Sequence, residues 1–285
     1  MWILFAIGSA FFAGITAILA KIGVKNVNSN VATAIRTVVI LIFSWIMVLI
    51  TNSYQEIAFV DEETLIFLIL SGIATGLSWL CYYRALQIGD VNKVVAIDKS
   101  SIVLTIILAF IILDEKITFI KFISIIIIVI GTYLMIDKKN EAEYKKNRRW
   151  LMFVLLSAIF ASLTSILGKI GINNINSNLG TAIRTIIVLI MAWIVVFVTK
   201  SHKEIKKIDK RSLKFIILSG ITTGLSWLCY YRALQDGYAS VVVPLDKFSI
   251  VFTVVFSYIF LKEKLNKKAF LGFLLIILGT LCLII

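Results

Sequence analysis

Long apolar runs separated by short polar segments fill almost the whole chain. A helix needs about 20 consecutive apolar residues to cross a bilayer core. In the first half, runs of about this length lie at 2–20, 31–51, 65–87, 92–112 and 118–136. In the second half they lie at 150–168, 179–199, 213–235, 240–260 and 266–285. The pattern therefore predicts ten transmembrane helices.

The two sets of runs are two copies of one sequence. Residues 2–137 align with residues 150–285 at a constant offset of 148 and without a gap. The segment from Ser71 to Gln87 returns at residues 219–235 with one substitution. Because each copy has an odd number of predicted helices, the second copy must enter the membrane from the opposite side.

This reasoning predicts an all-α integral membrane protein with ten transmembrane helices as two inverted five-helix repeats. The first repeat covers residues 1–137 and the second covers 150–285. A charged linker, predicted to be cytoplasmic, joins them at 138–149.

Composition agrees with a multi-pass protein of a cell membrane, with the lipid bilayer as its surroundings. Hydrophobic residues make up 60% of the chain and the mean hydropathy is +1.00, whereas soluble domains are about 45–50% apolar. The net charge of +13 would suggest nucleic-acid binding in a soluble chain. Here the Lys and Arg residues lie between apolar runs, where they set orientation, and we exclude nucleic acid as a partner.

Basic residues in short loops mark the cytoplasmic side of a membrane protein. The linker at 138–149 and the loops near 200–214 and 262–268 are rich in Lys and Arg. The loop near 52–64 has no basic residue and carries four acidic ones. Ten-helix counting puts the three basic segments on one face, so both termini are predicted to lie outside.

Each copy carries the same three ionisable residues inside its predicted spans. They are Arg36, Asp98 and Lys99 in the first copy and Arg184, Asp246 and Lys247 in the second. A charge at the centre of a membrane helix costs about 2.5–3.5 kcal/mol on insertion scales and marks a candidate functional site. The alternatives are a structural ion pair, such as Arg36 with Asp98, or cations that reach the interface by snorkelling. We predict that the four cations contact a solute and that the aspartates pair with them or relay protons.

These six residues carry four positive and two negative charges. Cations in a low dielectric need a partner. The balance therefore favours an anionic or zwitterionic small molecule, or the phosphate of a lipid headgroup. Arg84 and Arg232 lie near helix ends, where we interpret them as snorkelling side chains. Lys21 and Lys169 are similarly terminal, and we interpret them as interfacial anchors.

Aromatic residues on the third helix of each copy are candidate walls of a cavity. On a 3.6-residue helix Trp79 and Tyr83 share a face, and so do their equivalents Trp227 and Tyr231. The alternative is an aromatic belt at the membrane interface.

Two local features predict packing and shape. The spacing Gly72-x-x-x-Gly76, repeated at Gly220 and Gly224, permits close contact between helices. The single proline, Pro244, stands two residues before Asp246, where the first copy has Ala96. Because proline lacks an N–H and disturbs the preceding turn, we predict a kinked fourth helix in the second copy and unequal cavities.

Two short motifs support a resemblance to a known family. They are Leu113-Asp114-Glu115-Lys116 followed by Gly131, and Leu261-Lys262-Glu263-Lys264 followed by Gly272 and Gly279. With the five-plus-five layout, the chain resembles the EamA family of the drug/metabolite transporter superfamily. The resemblance implies export or exchange of small metabolites, often amino acids, by alternating access. The chain departs from the family at Asp98-Lys99 and Asp246-Lys247, where members usually have an apolar or proline-containing stretch. It also departs in its predicted orientation, because members are commonly drawn with both termini in the cytoplasm.

The predicted function is therefore secondary active transport of a small anionic or zwitterionic metabolite, with protons as a candidate coupling ion. The alternative is a lipid-headgroup flippase of the same fold. An intramembrane enzyme is less favoured, because the single histidine, His202, lies in a basic loop and the two aspartates are predicted at different depths. The three cysteines lie in apolar segments without metal-ligand spacing. We expect no catalytic residue, no cofactor, no metal and a monomer or homodimer.

Overall fold

The computed structural model describes residues 1–23, 27–88, 98, 101–116, 118–135, 149–261 and 267–284. In these residues the secondary structure is helical, without strands. The helices of the first half are α1 (Trp2–Gly23), α2 (Ser29–Ile50), α3 (Glu62–Ile88), α4 (Ser101–Ile112) and α5 (Phe119–Met135). Those of the second half are α6 (Arg149–Gly171), α7 (Ser177–Val198), α8 (Lys210–Asp236), α9 (Ala239–Lys247), α10 (Ser249–Leu261) and α11 (Lys267–Ile284). Two 3₁₀ segments, Ser53–Phe59 and Ser201–Lys207, follow α2 and α7.

Several of these helices have the length and composition of membrane spans. In the described residues, seven segments are long and apolar enough to cross a bilayer, and three shorter helices are apolar as well. Large hydrophobic side chains such as Ile50, Phe110 and Phe197 are more than half exposed, as expected for a surface that faces lipid rather than water. The chain is therefore a multi-pass membrane protein, and the count of ten helices stays a prediction.

Three predicted segments lie partly or wholly outside the described residues. The fourth span, 92–112, is described only at Asp98 and from Ser101 onward, and the linker is described only at Arg149. The basic loop near 262–268 is described only from Lys267.

Helices of the two halves pack mainly against each other. The closest pairs are α1 with α8 and α3 with α6, which occupy equivalent places in the sequence repeat. The repeat-related helices α2 and α7 also pack together, as do α5 and α11. Each half therefore completes its packing with the other half.

The contacts between α2 and α7 show the direction of these two helices. At one end Asn30 Nδ2 lies 3.5 Å from Thr199 Oγ1, and at the other end Asn178 Nδ2 lies 3.3 Å from Thr51 Oγ1. The start of each helix thus meets the end of the other, and the two run antiparallel. The glycine contacts of α5 and α11 give the same result, since Gly131 faces Gly272 and Ile276 while Gly279 faces Ser124.

Equivalent polar residues set the ends of the helices that carry the arginines. Asn28 and Asn176 accept hydrogen bonds from the backbone N–H groups of Asn30 and Asn178, at 3.0 and 2.9 Å. These contacts cap free N–H groups in the first turns of α2 and α7. Arg36 and Arg184 then each lie about 10 Å from the start of their helix.

The glycine pairs hold the third helix of one copy against the second helix of the other. A Cβ atom on Gly72 would lie 2.7 Å from Ile187 Cβ, and one on Gly76 would lie 2.6 Å from Met191 Cβ. Gly220 and Gly224 lie just as close to α2. The packing predicted from the spacing is confirmed, and it sets α3 beside Arg184 and α8 beside Arg36.

The span predicted at 240–260 consists of two helices. Here α9 ends at Lys247 and α10 begins at Ser249, with Phe248 between them. The Phe248 N–H donates to the Leu245 carbonyl at 3.0 Å, a tighter turn than that of an α-helix. The interruption follows Asp246 and Lys247 directly. Pro244 lies inside α9, so its role as a kink stays a prediction.

Candidate functional site

Arg36 lines a half-open cavity of about 460 Å³ between α1, α2, α3 and α8, which we call the Arg36 cavity. Its Nη2 donates a 2.8 Å hydrogen bond to Thr223 Oγ1. Hydroxyl groups and indole rings supply more of the wall, from Thr33, Thr37, Ser226, Trp79 and Trp227. Arg36 is the one charged residue among the described residues of this wall. The guanidinium is suited to an anionic group, whereas the hydroxyls of Thr37, Thr223 and Ser226 donate to backbone carbonyls.

Arg184, the equivalent of Arg36, is buried, with 2% of its surface exposed. Its Nε donates to Ser71 Oγ at 2.9 Å, and its Nη2 donates to Thr75 Oγ1 at 2.7 Å. The guanidinium carbon lies 4.6 Å from the ring centroid of Tyr231 and 5.1 Å from that of Trp227. Ring faces and hydroxyls replace water around this cation, so the second arginine lies in a closed site.

Two equivalent tryptophans lie between the two arginine sites. The ring centroids of Trp79 and Trp227 are 6.4 Å apart. Both rings line the Arg36 cavity, and Trp227 also packs on Arg184. The structure therefore brings three predicted aromatic residues, Trp79, Trp227 and Tyr231, next to the predicted cations. The side chain of Tyr83 lies outside the described part.

Asp246 is connected to the Arg36 cavity through two serines. Ser9 Oγ donates to Asp246 Oδ1 at 2.7 Å. Ser226, which lines the cavity, donates to the Ser9 carbonyl at 3.0 Å, and its Oγ lies 3.2 Å from Ser9 Oγ. Two hydroxyl groups thus separate the carboxylate from the cavity.

The first copy makes the same arrangement around Asp98. Ser157 Oγ donates to Asp98 Oδ1 at 2.8 Å, and Ser78 donates to the Ser157 carbonyl at 3.1 Å. Ser78 and Ser157 are the repeat equivalents of Ser226 and Ser9. The sequence analysis did not single out these serines, although their identity in both copies at fixed spacing from the aspartates was available as a signal.

The remaining predicted ionisable residues have different outcomes. Lys247 is the last residue of α9 and is half-buried, as is Asp246. Lys99 lies outside the described residues. In the described part of the chain, the hydrogen bonds of Arg184 go to hydroxyl groups and it forms no ion pair with an aspartate. The roles proposed for these residues stay predictions.

A second polar cluster, which the sequence analysis did not predict, surrounds Glu115. This residue of the Leu113–Lys116 motif is 4% exposed, and its carboxylate accepts the backbone N–H groups of Ala239 at 2.6 Å and Ser240 at 2.9 Å. It therefore places a negative charge at the start of α9, where the helix dipole favours one.

Lys169 completes the Glu115 cluster. Its Nζ lies 3.9 Å from Glu115 Oε1 and donates to the carbonyls of Leu234, at 2.9 Å, and Gly237. These contacts direct its ammonium group to protein partners, whereas the interpretation of Lys169 as an interfacial anchor stays a prediction. The cluster ties the end of α6 to the connection between α8 and α9.

Comparison with known protein families gives a match over almost the whole chain. The profile of the EamA-like transporter family matches residues 1–137 and 148–285. The chain belongs to the EamA-like transporter family. This EamA protein is thus a member of a membrane transporter family, within the drug/metabolite transporter superfamily, as the resemblance implied.

Relatives of this EamA protein carry the same kind of description. An "uncharacterized transporter in cobO 3'region" of Sinorhizobium sp is 43% identical over 137 residues, which are 48% of this chain and 97% of that protein. An "uncharacterized transporter" of Archaeoglobus fulgidus is 22% identical over 99% of this chain and 98% of its own length. These names indicate transport rather than catalysis.

A solved structure shows the same fold. A crystal structure aligns with a TM-score of 0.81 over 99% of this chain and 96% of its own chain, at 12% sequence identity. At that identity the likeness concerns the fold alone.

Proposed function

We propose that this EamA protein is a secondary active transporter that carries a small anionic or zwitterionic metabolite by alternating access between two inverted five-helix repeats. The observation that carries the proposal is the Arg36 cavity. It combines a guanidinium, several hydroxyls and two indole rings in about 460 Å³, within the roughly 300–1,000 Å³ of small-molecule sites. A carboxylate or phosphate can accept from the guanidinium, and the indole rings can pack on the remainder of the solute.

The packing of the repeats supports an inverted arrangement. Helices α2 and α7 occupy equivalent places in the sequence and run antiparallel, as do α5 and α11. Arg36 is open to a cavity while Arg184 is buried under two rings. In the proposed cycle these two arrangements, one accessible and one closed, exchange as the repeats move against each other.

The Arg36 cavity is proposed to open toward the cytoplasm. The start of α2 and the end of α7 meet at one face, where Asn30 approaches Thr199. The basic segment near 200–214 follows directly, and such segments favour the cytoplasmic side. Arg36 lies about 10 Å from this face.

Asp246 is the proposed site of coupling to protons. A carboxylate in a membrane helix is a common relay residue, and a hydroxyl can both donate and accept. Ser9 and Ser226 therefore offer a path for a proton between Asp246 and the cavity that holds the solute. Asp98, with Ser157 and Ser78, would supply the same path in the alternate state.

Solute flux into proteoliposomes, measured over a panel of metabolites with and without a pH gradient, tests the proposal. We expect anionic or zwitterionic solutes to be carried, with flux that depends on the gradient. Arg36→Gln removes a charge-assisted contact of about 1.5–3 kcal/mol, so solute affinity should fall about 10- to 150-fold. Arg36→Lys should retain part of it.

Control variants separate these effects from general damage. Lys203→Gln removes a cation from an exposed loop and should leave affinity unchanged. Asp246→Asn should abolish the effect of the pH gradient while leaving solute exchange measurable. Equal flux of cations and anions, or unchanged flux after Arg36→Gln, would refute the anionic substrate, and gradient-dependent flux by Asp246→Asn would remove that residue from coupling.

A further inference from the structure

A second cavity of about 420 Å³ lies beside the Arg36 cavity, between α2, α3, α6 and α7. Its middle is lined by apolar or weakly polar side chains, from Leu80, Cys81, Phe153, Ala192 and Val195. Thr33 and Trp79 line both cavities. We call this second space the apolar chamber; it adjoins the space beside Arg36.

The chamber runs from Trp79 toward the membrane face at which α2 begins. Its polar wall residues, Asn30, Arg84 and Thr199, lie near the start of α2, the end of α3 and the end of α7. Trp79 and Arg84 are five residues apart on α3, which is about 7.5 Å along the helix. From this face inward, the chamber has a polar mouth and then an apolar stretch, which lies beside the space that Arg36 lines.

We propose that the apolar chamber binds the hydrocarbon part of the transported solute, so that the substrate class is an amphipathic monoanion with its anionic head at Arg36. The proposal rests on the proposed function, because it assumes that Arg36 binds the head. A carboxylate at Arg36 with an aliphatic or aromatic tail in the adjoining chamber fits these walls.

The walls of the chamber discriminate against more hydrophilic solutes. A second charged or hydroxyl-rich group in the apolar stretch would lose its water without gaining hydrogen-bond partners, which is unfavourable. A hydrocarbon tail instead buries its surface against Leu80, Phe153 and Val195. Selectivity thus follows from the chamber, whereas the charge requirement follows from Arg36.

The test measures binding of straight-chain monocarboxylates, from propanoate to octanoate, to the full chain in lipid nanodiscs. Burial of one methylene group favours binding by up to about fourfold, so affinity should rise stepwise with chain length. Arg36→Gln should weaken all members alike. Val195→Phe, which fills the chamber, should remove the gain in affinity with chain length.

Cys81 gives an independent measurement, because its half-buried thiol lines the chamber. In a Cys229→Ala, Cys282→Ala background, octanoate should slow the alkylation of Cys81 by a maleimide, whereas propanoate should not. This measurement does not depend on the folding of the Val195 variant.

Different outcomes overturn different statements. Affinity that is independent of chain length but lost in Arg36→Gln would overturn the tail site and leave the anion transporter intact. Affinity that rises with chain length but is unchanged by Arg36→Gln would overturn the anionic head site and with it the proposed function. Protection of Cys81 by anionic phospholipid, with none by octanoate, would make the chamber a lipid site and overturn the inference.

Discussion

Replacing Glu115 by glutamine removes the buried negative charge that joins the start of α9 to the end of α6. Its carboxylate accepts two backbone N–H groups, from Ala239 and Ser240, and lies 3.9 Å from Lys169 Nζ. We predict that Glu115→Gln destabilises the protein by about 3–5 kcal/mol, the range for breaking a buried ion pair.

The magnitude follows from the contacts. A hydrogen bond to a charged group contributes about 1.5–3 kcal/mol, and glutamine retains one acceptor oxygen, so about one such bond is lost. The attraction to Lys169 is about 4 kcal/mol at an effective dielectric constant of 20. We count about half of it, because Lys169 is 20% exposed and keeps two carbonyl partners.

Reversible unfolding in mixed micelles, followed by tryptophan fluorescence, measures this change. Glu204→Gln is the matched control, because Glu204 is exposed in the Ser201–Lys207 segment and, among the described residues, accepts one long contact of 3.4 Å from Asn28. It should alter stability by less than about 0.5 kcal/mol. Adding Lys169→Met to Glu115→Gln should cost less than the sum of the single changes, by about 1–3 kcal/mol. Additive effects, or a Glu115 variant as stable as the control, would refute the reasoning.

Two further predictions concern helix contacts and helix ends. In the same unfolding measurement, Gly72→Ala should destabilise the protein by about 1–3 kcal/mol, because the new Cβ would lie 2.7 Å from Ile187 Cβ. Gly8→Ala should be neutral or stabilising, because the nearest neighbour of its new Cβ would be 3.6 Å away. Equal losses of stability in the two variants would contradict the packing. The hydroxyl and N–H of Ser212 hold the pKa of Asp209 below its ordinary value. At a pH above the ordinary pKa of an aspartate, the ionised Asp209 stabilises the start of α8. This stabilisation is lost as the pH falls through the lowered pKa of the folded state. Hydrogen-exchange protection of the first turn of α8, corrected for intrinsic rates, should therefore fall on acidification below about pH 4. Asp209→Asn, which retains a capping oxygen, should abolish that dependence, and an unchanged pH profile would contradict it.

Features that repeat in the sequence or follow helical spacing could be predicted. The glycine pair at Gly72 and Gly76 faces a neighbouring helix as expected, because two residues without side chains on one helix face allow another helix to approach closely. Arg184 lies against Trp227 and Tyr231. These two residues were predicted to share a face that forms a cavity wall; Trp227 lines the Arg36 cavity, whereas Tyr231 is buried on Arg184. Their role toward a solute stays a prediction.

Features that depend on packing between the halves could not be predicted. Glu115 caps α9 through the backbone N–H of Ala239, 124 residues away. Because almost every residue has a backbone N–H, the sequence does not mark this partner. Ser9 and Ser157 were missed because a serine in an apolar helix usually bonds to its own preceding turn. Only the packing of α1 on α8 and of α6 on α3 turns them toward the aspartates.

The two arginine sites have equivalent residues around them but arrange these residues differently. The residues that surround Arg184 have identical counterparts at Ser219, Thr223, Trp79 and Tyr83, so either arginine could in principle be the closed one. In the proposed cycle this near-identity of the site residues would keep the two arrangements close in free energy, and the bias between them would come from positions that differ, such as Pro244 against Ala96. The proposed transport cycle needs that closeness: an anion gains about 1.5–3 kcal/mol from one charge-assisted contact, and a ligand can shift an equilibrium only by its differential affinity for the two states. In the proposed cycle, a solute held through a single arginine would therefore switch the protein because duplication made its two sites nearly equivalent.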